Sequence, residues 1–257
     1  MLRVENLTKI YPNGTVALKN VSFTVNDGDF MVVIGLSGSG KSTLLRCINR
    51  LIEPTEGRVF WDDVDITAAN ISDLRRIRRK IGMIFQQFNL VKRSTVMTNV
   101  LSGRLGYANW GLSLMGLWSP DNRKLAMKAM ERVGIVDKAT NRADALSGGQ
   151  QQRVGIARAL MQEPRLILAD EPVASLDPVL AHSILHYLEL LNKSDGLTVV
   201  CSLHFLDLVH RYASRVIGLK EGIKVFEGFP QEIDRARFKE IYGEEAQEVR
   251  ATVVDAG

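Results

Sequence analysis

Nine residues, "GLSGSGKST" from Gly35 to Thr43, constrain the fold of this 257-residue chain more than any other stretch. In the pattern G-x-x-x-x-G-K-[ST] the glycines let successive backbone N–H groups turn inward around phosphate oxygens. Such a loop works between a buried strand and a helix, because the helix N-terminus completes the anion site. Both neighbours are legible. The run "VSFTVNDGDFMVVIG" predicts a strand, an Asp-Gly turn and a buried strand ending at Gly35. In "KSTLLRCINRLI", Leu44, Leu45, Ile48 and Leu51 recur at helical spacing, which predicts a helix stopping near Pro54. The loop is therefore expected to hold the phosphates of a nucleotide with Gly35, Ser37, Gly38, Ser39, Gly40, Lys41, Ser42 and Thr43. Lys41 can reach the β- and γ-phosphates, and the Ser42 hydroxyl can bind Mg²⁺.

A magnesium nucleotide site also needs a carboxylate on a neighbouring strand. "LILAD" supplies four apolar residues and then Asp170 at the strand's expected C-terminal end, with Glu171 next. Adjacent side chains at a strand end point to opposite sides. Asp170 is therefore assigned to the metal and Glu171 to the attacking water, as general base. A second small-residue turn, Ser147, Gly148 and Gly149, opens "QQRVGIARALMQ", helical through Val154, Ala157, Arg158 and Leu160. Its backbone N–H groups and helix dipole again face an anion. No lysine follows it and no strand precedes it, so it cannot hold a nucleotide unaided. Two readings stay open on these residues alone. The turn completes a site whose main part lies elsewhere, or Ser147 caps a helix and the glycines reverse the chain.

"GRVFWDDVDI", "IGMIFQQF", "RLILADEP", "TVVCSLH" and "RVIGLKEG" predict further strands. Between Val91 and Gln162 the period is helical or undefined. In "SPDNRKLAMKAMERVG", Ser119 is the expected N-cap, Pro120 the first helical residue, Asp121 part of the first turn and Gly134 the stop. The expected class is α/β, a sheet core with a mostly helical insertion and a polar tail past Gly243. No apolar run approaches the roughly 18 residues needed to cross a bilayer. "MLRVENLTKIY" has no signal-peptide core, so the chain is expected to be soluble and cytosolic by itself. Cys47 and Cys201 sit in apolar surroundings without metal-ligand spacing and read as small buried hydrophobes. The formal charge is +4, densest in "DLRRIRRK" from Asp73 to Lys80. Without interleaved aromatics that cluster reads as a solvated helix face, and no nucleic-acid partner is expected.

"LSGGQ" behind a phosphate loop, followed by "LILADEP", "ASLDP" and "SLHF", resembles the ATP-binding subunits of ATP-binding-cassette transporters, from Met1 to about Gly243. The resemblance implies a P-loop NTPase (RecA-like) core with an antiparallel β subdomain over 1–87 and 163–243, an inserted α-helical subdomain over 88–162 and a tail over 244–257. It implies two copies packed head to tail, each ATP lying between the phosphate loop of one and Ser147, Gly148, Gly149 and Gln150 of the other. Tyr11, in "TKIYPNG", resembles the aromatic residue that stacks on adenine; a half-buried strand-end tyrosine is the alternative. Gln86, in "IFQQF" with Gln87 beside it, resembles the glutamine that touches Mg²⁺ and the attacking water and links to the membrane partner. Asp177 in "SLD" resembles the residue that crosses the dimer interface, and His204 the histidine that senses the γ-phosphate.

With no appended regulatory domain and no membrane segment, the chain is expected to be one separate, peripheral subunit on the cytoplasmic face of the plasma membrane. Its expected partners are transmembrane permease subunits and, indirectly, a solute-binding protein. "SGRLG", the Trp-flanked "SLMGL" and "DEPVASLDP" resemble phosphonate import ATP-binding proteins, with polar amino-acid and phosphate importers as alternatives. DNA-repair heads carry long heptad arms and translation factors two cassettes; this chain has neither. A nucleotide-binding module without turnover would have no use for Glu171.

Overall fold

The computed structural model describes residues 1–107 and 116–243. Much of the "SLMGL" segment and all of the tail past Gly243 lie outside the described residues. In chain order the elements are β1 (Leu2–Ile10), β2 (Val16–Val25), β3 (Phe30–Ile34), α1 (Lys41–Ile48), β4 (Glu56–Trp61), β5 (Val64–Asp65), α2 (Ile71–Arg78) and β6 (Ile81–Ile84). There follow α3 (Val96–Ser102), α4 (Pro120–Arg132), α5 (Gly148–Leu160), β7 (Leu166–Ala169), α6 (Pro178–Asp195) and β8 (Thr198–Ser202). The last are α7 (Leu206–Tyr212), β9 (Arg215–Lys220), β10 (Ile223–Gly228) and α8 (Arg235–Tyr242).

All five residues of β3 are buried, as a strand covered on both faces requires. Phe30, Val32 and Ile34 enter one core, Met31 and Val33 the other, which is the period-two alternation of a strand. β3 sits inside a six-stranded sheet of order β10-β9-β3-β8-β7-β6. Its strands run parallel, except that β10 pairs antiparallel with β9. On one face lie α1, Leu74 of α2 and the four-stranded antiparallel sheet β2-β1-β4-β5. The other face is covered by buried side chains from α3, α4, α5, α6, α7 and α8. Ser202 stands beside Val33 and Cys201 beside Ala169. The chain therefore leaves β3, β7 and β8 at one sheet edge, the C-terminal edge where α/β sheets bind ligands.

The expected helix stop near Pro54 is too late. α1 ends at Ile48, and Arg50 takes a left-handed conformation, φ 53°. A tertiary anchor sets that end: Arg78 donates to the carbonyls of Asn49 and Arg50, and Arg50 in turn to those of Ile66 and Ala69. Arg78 is thus built into the fold, while Arg75 and Arg76 on the same helix are exposed as expected. α4 begins as read: Ser119 accepts from the Asn122 amide and Pro120 is its first residue. Cys47 and Cys201 are buried; burial pushes the Cys47 thiol up to about 12 and raises Cys201 too. Among the described residues no helix is long and apolar enough to cross a membrane.

Candidate functional site

The loop between β3 and α1 depends on its glycines. Gly35 has φ 146°, and a Cβ there would lie 2.2 Å from the Leu219 carbonyl oxygen. At Gly40, φ 102°, a Cβ would lie 2.4 Å from the Ala17 carbonyl oxygen. No other residue fits either position. The loop curls around Lys41, whose side chain is only 3% exposed. Its Nζ donates to the carbonyls of Gly35 and Leu36, both at 2.9 Å, and lies 3.8 Å from Glu171 Oε1. Burial pushes the Lys41 pKa down, opposed by the charges of Glu171 and Asp170. Ser37, Gly38, Gly40, Lys41, Ser42, Thr43, Gln86 and Glu171 line one cleft. Ser39 is turned inward, its hydroxyl buried and unpaired.

The two carboxylates part company at a kink. β7 ends at Ala169, so strand alternation does not separate them as the sequence suggested. Glu171 takes φ 47°, a left-handed conformation costly for a side chain with a Cβ. Its amide donates to Ser202 Oγ at 2.8 Å, which fixes the kink. Asp170, wholly buried, accepts from Ser42 Oγ at 2.7 Å and from the Arg46 guanidinium at 3.0 Å. Glu171 instead meets His204 Nε2 at 2.5 Å through Oε1. Arg46 and Ser202 were absent from the sequence reading. Arg46 follows Ser42 by one helical turn and Ser202 precedes His204 by two, signals visible only once the site is known.

Tyr11 is half-buried, its hydroxyl 3.2 Å from Thr43 Oγ1 and its ring beneath Lys9. Ser147 caps α5, accepting from the Gln150 amide, while Gln150 Oε1 accepts from the Ser147 amide. Gly148 and Gly149 are helical, so they do not reverse the chain. A Cβ at Gly149 would meet Leu180 of α6 at 2.9 Å. Asp177 caps α6 through the Leu180 amide at 3.0 Å. No residue from Leu146 to Gln150 lines the cleft of the phosphate loop. The Ser147–Gly149 turn, the signature turn, is therefore an N-cap within its own chain, and its exposed Ser147 and Gly148 do not line that chain's cleft.

The ABC transporter family profile matches residues 18–174. The chain is 54% identical over 250 residues to the phosphonates import ATP-binding protein PhnC of Bdellovibrio bacteriovorus, covering 97% of this chain and 96% of the relative. A second protein of that name, PhnC 3 of Halalkalibacterium halodurans, is 49% identical over 96% of each chain. The fold aligns with the dimeric, post-hydrolysis form of the ATP-binding cassette MJ0796 bound to ADP and Pi, at TM-score 0.80 and 38% identity over 90% of this chain and 99% of that one. It aligns equally, at TM-score 0.80 and 30% identity over 93% and 92%, with cbiO1 of Clostridium perfringens, part of the transporter complex cbiONQ. A phosphate loop, a split carboxylate pair and a signature helix, in one chain with relatives at this identity, place the protein in the ATP-binding-cassette transporter family as an ATP-hydrolysing cassette.

Proposed function

We propose that the chain energises phosphonate uptake. Two copies clasp ATP head to tail beneath transmembrane permease subunits at the cytoplasmic face of the membrane, and a solute-binding protein delivers the solute. The observation that carries the solute assignment is 49–54% identity over 96–97% of the chain to relatives named for phosphonate import. We read residues 1–87 and 163–243 as the nucleotide-binding core with its antiparallel β subdomain, and 88–162 as the helical subdomain.

Ser42 Oγ and the Asp170 carboxylate, 2.7 Å apart, with Gln86 on the same cleft, are the oxygen donors a hard divalent cation takes. Mg²⁺ would be held there and would neutralise charge at the β- and γ-phosphates. Lys41 exchanges its hold on the Gly35 and Leu36 carbonyls for phosphate oxygens, and the loop amides close around them. Glu171 Oε1 accepts the proton of the attacking water; the contact with His204 Nε2 keeps that carboxylate in place. Gln86, which lines the same cleft, orients the water. The Tyr11 ring, held by Thr43, offers a face to adenine. Ser147, Gly148, Gly149 and Gln150 of the other copy bring helix N–H groups to the γ-phosphate, with Asp177 at the seam. Growth of a deletion strain on a phosphonate as sole phosphorus source tests the assignment. Loss of growth restored by the intact gene is expected; unimpaired growth without a redundant importer refutes it.

A further inference from the structure

Two residues after Gln86 the backbone does something unfavourable. Phe88 and Asn89 are consecutive left-handed residues, φ 52° and 50°. Asparagine tolerates that region; phenylalanine pays sterically for its Cβ. Such a turn persists only where its surroundings over-determine it. The Phe88 amide donates back to the Phe85 carbonyl at 3.3 Å, and one side chain binds both carbonyls of the turn. Arg158 on α5 donates to the Phe88 carbonyl at 2.7 Å and to the Asn89 carbonyl at 2.6 Å.

The clamp is rigid from behind. A Cβ on Gly103, at the end of α3, would lie 2.0 Å from the Arg158 carbonyl oxygen, so α3 seats directly on the α5 backbone. Arg158 forms no ion pair with a carboxylate among the described residues, and burial lowers its pKa. A half-buried guanidinium spent on two carbonyls, without a counter-charge, is costly unless those carbonyls matter. Gln86 stands at the hinge. It lines the cleft with Lys41, Ser42 and Glu171, and also the groove with Phe88 and Asn89.

We propose that Arg158 is a positioning residue for ATP hydrolysis. It keeps the strained Phe88–Asn89 turn formed and thereby sets Gln86 against the nucleotide cleft. The same helix carries Ser147 at its other end, so its seating on the partner copy's nucleotide is transmitted to Gln86 through Arg158. This rests on the placement of Gln86 in the hydrolytic site.

The test uses the full chain. Arg158→Lys keeps charge but loses the two-pronged geometry. It should lower kcat about 10- to 100-fold, the scale of a misplaced reacting group, while KM for ATP stays within about twofold. Amide exchange from Gln86 to Asn89 should quicken about 10-fold or more in the nucleotide-free chain. Because glycine enters the left-handed region freely, adding Phe88→Gly to Arg158→Lys should restore most of kcat, whereas adding Phe88→Ala should not. Unchanged kcat with unchanged exchange in Arg158→Lys overturns the proposal, as does a kcat loss that Phe88→Gly leaves untouched. A silent Gln86→Ala would overturn the site reading beneath it. An impaired Gln86→Ala beside a silent Arg158→Lys overturns the proposal alone.

Discussion

Glu171 sits in a strained left-handed conformation, its amide donating to Ser202 Oγ and its carbonyl accepting from the Ala174 amide. The kink points its carboxylate away from Asp170 and toward Lys41 and His204. Two neighbouring acids thereby receive different partners, Ser42 and Arg46 for Asp170 and Lys41 and His204 for Glu171, which supports the proposed division of roles. Glu171→Gln preserves size and hydrogen bonding but cannot take a proton. Turnover should fall by roughly 10²–10⁴ while ATP still binds, measured as phosphate release against nucleotide titration. Lys41→Ala should instead weaken nucleotide binding itself; equal affinity in the two variants would sink the division of labour. The loop glycines, Lys41, Ser42 and the acid pair were legible in the sequence because phosphate and Mg²⁺ chemistry demands those residue types at that spacing. Arg46 was not, because its bond to Asp170 joins residues 124 apart in the chain. Nor was the separation of the acids, which strand alternation anticipated for the wrong reason.

Among the elements, α5 and α6 carry the polar groups that packing alone does not explain. Gln152 on α5 is fully buried, and neither atom of its amide has a hydrogen-bond partner among the described residues. An unpaired buried amide costs free energy that an apolar side chain of similar shape avoids. Gln152→Met should therefore leave Tm unchanged or raise it by about 2–4 °C, the shift expected per kcal/mol in a chain of this size. A fall of several degrees in a thermal melt would show that the amide is satisfied after all. Glu189 on α6 is the opposite case. Burial disfavours its charge, but hydrogen bonds from Lys193, Arg211 and His186 prevail and hold the carboxyl at about 2. Arg211 belongs to α7, so this network ties two helices together. A folded pKa below the unfolded value of about 4.5 gives stability that is complete above 4.5 and lost as pH falls toward 2. Parent and Glu189→Gln should differ most in Tm near neutral pH, and the gap should narrow below about 4.5; a gap independent of pH would contradict the network. Helix starts such as Ser119 and Ser147 were legible from local cap chemistry. The end of α1 was not, because distant Arg78 fixes it.

At the scale of the whole molecule, one chain holds two glycine-marked helix starts, and only the first lines the cleft. The cleft of the phosphate loop contains no residue from Leu146 to Gln150, and Ser147 is spent on capping its own helix. The order of the motifs made both halves legible in the sequence. Their separation within one chain becomes visible only in three dimensions, and it leaves the signature turn useful to a second copy. Structures of a related cassette at 38% identity are dimeric, one of them bound to ADP and Pi. In a head-to-tail pair each site takes its phosphate loop from one copy and its signature turn from the other. Mixing a Lys41→Ala chain with a Ser147→Arg chain makes the arrangement testable. Each parent homodimer has one defect in both sites and should be inactive. In the mixed dimer one site collects both defects and the other has none. ATPase activity should therefore reappear on mixing, rising with the fraction of mixed dimer, and nucleotide should stabilise the pair because it bridges the two halves. If mixed dimers are shown to form in the presence of ATP and phosphate release stays at the level of the parents, the two halves of the site do not come from different copies.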